Sequence, residues 1–166
     1  MTVAIAKPRL AAPRGTCDTH MHFYDHKYPT APTAQITPLD ASVEMYQAMA
    51  GTLGIERTVV VQPSTYGLDN RCTLESIAKL GLDRARGVAV VDTGVSTAEL
   101  QRLTDGGMRG IRFFALPGGA LSWEQFDALA SRVQDVGWHV QLQLDGRLLP
   151  ERRSEERRVG KLCRCR

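Results

Sequence analysis

The chain has 166 residues, 43% of them hydrophobic and 23% charged, with four cysteines and a formal net charge of +3. That length holds one domain with a real core, and no apolar run approaches the roughly 20 residues of a membrane span. The charge is uneven: residues 151–166 hold 7 Lys/Arg and 3 Asp/Glu, and without them the net is −1. The folded part therefore lacks the basic face a nucleic acid would want, and neither a nucleic-acid nor a membrane partner is expected.

Residues 1–15, with Pro8 and Pro13, read as a loose lead-in. They lack the apolar core of an export signal, so a cytoplasmic location is expected. In that setting the cysteines are expected to be free thiols. Gly15 to His22 reads as the first strand, followed by a loop rich in Pro and Thr. Asp40 to Leu53 carries an apolar stripe at helical spacing (Val43, Tyr46, Met49, Ala50, Leu53) and stops at Gly54. Thr58 to Gln62 is the second strand. Asn70 to Leu80 is the second helix, with Asn70 as N-cap and Gly81 at its end. Ala85 to Val91 is the third strand. The third helix starts near Ser96 or Thr97 and stops at Gly106-Gly107. Gly110 to Phe114 is the fourth strand, Ser122 to Gly137 the fourth helix, and Trp138 to Leu144 the fifth strand.

Strands apolar on both faces and separated by helices make βαβ units and a parallel sheet. Residues 16–150 thus form an α/β unit of about five strands and four helices. Two architectures fit: an open doubly wound sheet, or the N-terminal half of a (β/α)8 TIM-type barrel. No glycine-rich phosphate turn follows the first strand, which favours the barrel. Residues 151–166 have no apolar face to bury and read as a non-native or disordered basic tail. The stretch Arg153 to Cys163 is similar to an in-frame translation of a sequencing adapter. Cys163-Arg164-Cys165, two cysteines with no partner pair, is a weak metal signal.

The chemistry concentrates after the strands. Asp18-Thr19-His20-Met21-His22 ends the first one. Side chains alternate faces along a strand, so His20 and His22 point the same way. Such a pair binds a metal or polarises a carbonyl, and the bland alternative is two solvated histidines. Arg112 shares a face with Gly110 and Phe114, where a guanidinium grips a substrate carboxylate or closes a buried salt bridge. Arg109 lies on the opposite face as a structural ion-pair partner. Gln62, Ser64 and Tyr66 follow the second strand, Tyr24 and Tyr28 the first, and Asp145 the fifth. Each is a candidate substrate contact, with a packing or surface role beside it.

The motif Asp18-Thr19-His20-Met21-His22 resembles the opening signature of the amidohydrolase superfamily. Leu53 to Gln62, Asp69-Asn70, Gly107 to Phe113, Leu116 to Ala120 and Gln143 to Gly146 are similar to its lactone-handling branch. That branch includes 2-pyrone-4,6-dicarboxylate lactonases and D-galactarolactone isomerases. The resemblance implies a (β/α)8 barrel with its site at the C-terminal strand ends. It implies a lactone hydrolase or isomerase without a required cofactor, in which His20 and His22 hydrogen-bond the lactone carbonyl. Substrate contacts would come from Arg112, Gln62, Ser64, Tyr28 and Asp145. In metal-dependent hydrolases or decarboxylases of the superfamily, the same two histidines would instead bind a divalent ion such as zinc. The family barrel is about twice as long, and its second half supplies further histidines and an aspartate after the last strand. The chain is therefore expected to be an inactive truncation. Its exposed strand edges would favour self-association.

Overall fold

Five parallel strands lie side by side in the order β1-β2-β3-β4-β5, which is also their order in the chain. They are β1 (Cys17–Met21), β2 (Arg57–Val61), β3 (Ala85–Ala89), β4 (Met108–Phe114) and β5 (His139–Gln143). A doubly wound sheet reverses direction from a central strand. Sequential neighbours throughout match half of a (β/α) barrel instead. The computed structural model describes residues 8–147. The basic tail and Cys163-Arg164-Cys165 lie outside the described residues.

The connecting helices are α1 (Val43–Leu53), α2 (Arg71–Leu80), α3 (Thr97–Asp105) and α4 (Phe126–Gln134), and together with the sheet they make the half-barrel. Helix α1 begins at Val43, the first residue of its apolar stripe and three residues after the expected Asp40. Ser42 caps it by accepting from the Met45 N–H at 3.3 Å. Asp40 is drawn away to His26 instead. Gly54 closes the helix in the left-handed region at φ 77°, a conformation that suits glycine. Asn70 does occupy the N-cap position of α2, but its side chain makes no cap bond. It bridges to Val90, donating to the carbonyl at 2.8 Å and accepting from the N–H at 3.0 Å. The expected fourth helix is split: Trp123–Gln125 is a 3-10 turn with a capping box from Ser122 and Gln125, and α4 follows.

Helices and sheet share one core. Val60, Ile77, Leu103, Met108, Ile111, Phe113, Leu129 and Val133 are all fully buried. Each such side chain contributes roughly 1.5–3 kcal/mol by leaving water. Phe113 sets the polarity of the sheet. Its ring meets Phe126 edge-on at 5.1 Å and Trp123 at 5.6 Å, so it faces the helices. By alternation Arg112 and Phe114 face the other way, onto the concave inner side. Trp138 is buried and donates to the Thr104 hydroxyl at 3.0 Å. No helix among the described residues is long and apolar enough to cross a membrane.

Candidate active site

The inner side carries the polar groups. His20 and His22 stand at the end of β1 with ring centroids 5.0 Å apart, nearly perpendicular. They share a side as alternation requires, despite an irregular register between Asp18 and Met21. Asp18 supports the turn of the strand: its Oδ1 accepts from the His20 N–H at 3.2 Å, and its Oδ2 accepts from the Tyr46 hydroxyl at 3.2 Å. His22 Nδ1 lies 2.7 Å from the Val61 carbonyl oxygen. A carbonyl only accepts, so Nδ1 carries the proton, and neutral His22 presents a bare Nε2. Burial, reinforced by the Arg112 charge, holds both imidazoles below the usual histidine value. Neutral rings are therefore favoured at neutral pH.

His20 reaches across the concave side. Its Nδ1 lies 3.0 Å from Nε2 of Gln141 on β5. The two strands are the opposite edges of the sheet. Only a strongly curved sheet brings its first and last strands into side-chain contact. Gln141 and Gln143 both belong to the inner side. Gln143 Oε1 accepts from Arg112 Nη2 at 2.5 Å. The sequence offers Gln143 only within the family-like stretch Gln143 to Gly146 and gives Gln141 no role, although polar residues at 139, 141 and 143 of a strand mark that face.

Arg112 is 6% exposed, gives Nη1 to the Gln62 carbonyl at 3.0 Å, and lies 4.8 Å over the Phe114 ring. Among the described residues no carboxylate pairs with it, so the salt-bridge alternative finds no partner there. Ser64 opens a 3-10 turn (Ser64–Tyr66) and lines a small cavity with Arg112, Phe114 and Leu121. The structure thus brings together His20, His22 and Arg112, and places Ser64 in one small cavity with Arg112.

Three candidates are placed elsewhere. Gln62 is fully buried. Its amide donates to the Gly67 and Asp69 carbonyls, and its oxygen accepts from Thr73. All its side-chain capacity goes to the β2–α2 connection, and only its backbone carbonyl touches the site, through Arg112. Tyr28 gives its hydroxyl to Glu75 on α2, where Lys27 and Lys79 also converge. The aromatic neighbour of His22 is Tyr24, at 6.2 Å. Asp145 pairs with Arg147 two residues on, at 2.5 Å. Arg109 makes no ion pair among the described residues. It donates to the Thr104 carbonyl at the end of α3.

Other reactive groups lie outside the pair's neighbourhood. Cys17 and Cys72 are free, and burial pushes the Cys72 thiol up to about 11. Asp25, His26 and Asp40 bring three ligand atoms within 4.8 Å of one another, but His26 and Asp40 are exposed and bonded to each other.

The family model described as Amidohydrolase matches residues 17–153. The chain is 37% identical over 150 residues to a 2-pyrone-4,6-dicarboxylate hydrolase of Comamonas testosteroni, covering 88% of this chain and 49% of that protein. It is 35% identical over 141 residues to a D-galactarolactone isomerase of Agrobacterium fabrum, covering 84% and 48%. An apo crystal structure of an Agrobacterium tumefaciens protein superposes with a TM-score of 0.85 at 32% identity, over 92% of this chain and 56% of that one. A probable 2-pyrone-4,6-dicarboxylic acid hydrolase of Acinetobacter baumannii, solved with citric acid bound, superposes with a TM-score of 0.75 at 26% identity, over 86% and 54%. The chain spans about half the length of the curated relatives it matches.

Proposed function

The chain belongs to the amidohydrolase family, and from that premise we propose that it contributes one half of a site acting on a lactone that bears carboxylate groups. The carrying observation is the pair His20 and His22, on the inner side at the strand ends and beside an Arg112 with no carboxylate partner among the described residues. Support also comes from relatives named for a pyrone dicarboxylate and for galactarolactone, and from a similar structure holding citric acid.

The chemistry is acyl transfer from a ring ester. Water adds to the lactone carbonyl carbon, the ring C–O bond breaks, and lactone plus water becomes a hydroxy acid. In an isomerase a hydroxyl of the substrate takes the place of water. Negative charge grows on the carbonyl oxygen, and an imidazole N–H at that oxygen lowers the barrier by stabilising it. Arg112 meets a carboxylate and fixes the ring's orientation, which converts binding into positioning. Tyr24 and Ser64 line the approach. Proton transfer falls to the aspartate that the family resemblance places after the last strand of the full barrel. The chain alone is then expected to bind lactone without turning it over.

Titration of 2-pyrone-4,6-dicarboxylate and D-galactarolactone into the labelled chain, followed by NMR, tests this. Shifts at His20, His22 and Arg112 are expected for at least one lactone. Saturation without any shift at these three residues would refute the reading.

A second, non-catalytic reading rests on the sheet itself. The outer edges of β1 and β5 pair with no strand among the described residues. Open edges recruit another chain. On this reading the chain self-associates, and a concentration-independent monomer in sedimentation would argue against it.

A further inference from the structure

We infer that Gln141 is a positioning residue that fixes which nitrogen of His20 carries the proton, so that the two imidazoles face the inner side as one donor and one acceptor. Gln141 Nε2 is an amide nitrogen, which only donates, and it lies 3.0 Å from His20 Nδ1. His20 Nδ1 must then accept. In a neutral ring the proton sits on Nε2, the nitrogen that remains free. His22 is set the opposite way. The Val61 carbonyl takes its Nδ1–H, leaving Nε2 bare. Two adjacent imidazoles in the same strand motif thus present opposite chemistry.

The orientation of the Gln141 amide follows from its neighbour. Gln141 stands opposite Arg112 in the β4–β5 register. Its oxygen is buried and accepts no hydrogen bond among the described residues. Turned the other way, the amide would bury two N–H donors on the strand beside an arginine that has no carboxylate partner. The positive field of Arg112 favours the oxygen in that place.

Resting on the lactone reading, the consequence is a division of labour. His20 Nε2–H donates to the carbonyl oxygen as it becomes negative. His22 Nε2 accepts a hydrogen bond from the attacking water or hydroxyl and aims its oxygen at the carbonyl carbon. The same arrangement disfavours the metal-dependent alternative. A divalent ion such as zinc held by both rings needs a lone pair from each. His22 has the usual support for a ligand, Nδ1–H on a carbonyl. His20, with a donor on Nδ1, has no lone pair left on the inner side. The two rings as set do not fit one shared ion.

The test reads the tautomers directly and needs no turnover. Long-range 1H–15N correlation spectra of the histidine rings are recorded on the 166-residue chain and on Gln141→Leu and Gln141→Glu. The unsubstituted chain is expected to show His20 protonated on Nε2 and His22 on Nδ1. Gln141→Leu is expected to relax His20 to the weaker Nε2–H bias of a free imidazole, and Gln141→Glu, an acceptor, to move the His20 proton to Nδ1, with His22 unchanged. His20 protonated on Nδ1 in the unsubstituted chain overturns the inference, even if both variants fail to fold. So does an undiminished preference in Gln141→Leu, a proton that stays on His20 Nε2 in Gln141→Glu, or stoichiometric zinc shifting both rings together. Lactone titration into the same sample reports on the functional reading separately, so failure of one is distinguishable from failure of the other.

Discussion

Arg112 donates to the backbone carbonyl of Gln62, 3.0 Å away and 50 residues earlier in the chain. The bond locks the guanidinium beside the histidine pair, while burial pushes its pKa down. A buried cation with no anion is costly to keep, and a ligand carboxylate would offset that cost. Arg112→Met should therefore be cheap for folding and expensive for binding. The loss is the hydrogen bonds to Gln62 and Gln143, about 1–3 kcal/mol, partly recovered by removing the charge. Lactone carboxylate affinity is expected to fall at least about tenfold, in line with a charge-assisted bond of roughly 1.5–3 kcal/mol. Urea unfolding and lactone titration of the same variant check both halves. Large destabilisation with unchanged affinity would assign Arg112 to structure alone.

Asn70 ties the β2–α2 connection to the end of β3. Its side chain is 7% exposed and meets both backbone groups of Val90, as a neighbouring strand would, while also donating to the Leu68 carbonyl. Asn70→Ala leaves a buried N–H and a buried carbonyl at Val90 unpaired. Each unpaired group costs roughly 1–3 kcal/mol, so a loss of about 2–6 kcal/mol in chemical denaturation is expected. A loss below about 1 kcal/mol would mean that the loop rearranges to satisfy them.

The βα repeat was legible because its signals are local. Apolar runs mark strands, and glycines stop helices at Gly54, Gly81 and Gly106. The histidine pair was legible for the same reason, since two residues of one strand need only alternation to meet. What escaped is what depends on distant partners. Asn70 reads as a cap until Val90, 20 residues away, takes its amide. Tyr28 reads as a pocket residue until Glu75 binds its hydroxyl. Gln141 and His20 are 121 residues apart, and only the curvature of the sheet joins them.

Glu75 is one anchor of the long β1–α1 loop. Glu75 receives Lys27, Tyr28 and Lys79, and these bonds, Lys27's first, pull its carboxyl down to about 2. The group is over a third exposed, so solvent screens it and the effect on global stability is small. The local effect is expected to be larger. Glu75→Gln should speed amide exchange in residues 24–41 several-fold while leaving the strands protected. Unchanged exchange there would shift the anchoring to the Tyr66 hydroxyl, which accepts from the Asp25 N–H at 2.9 Å.

His26 and Asp40 pin the same loop at its far end, through Nδ1 and Oδ2 at 2.6 Å and a backbone N–H to Oδ1 at 2.8 Å. The Asp40 hydrogen bond raises the His26 pKa above 6.5, and the His26 bond lowers Asp40 below 3.8. A raised histidine contributes fully below pH 6.5 and loses its contribution as pH rises through its folded value. A depressed aspartate contributes fully above pH 3.8 and loses its contribution as pH falls through its folded value. The pin is therefore complete between those two values and weakens on both sides. Titration of the His26 ring protons by NMR should give a midpoint above 6.5, and Asp40→Asn should return it toward 6.5. An equal midpoint in both proteins would mean that the two exposed groups meet too rarely in solution to hold the loop.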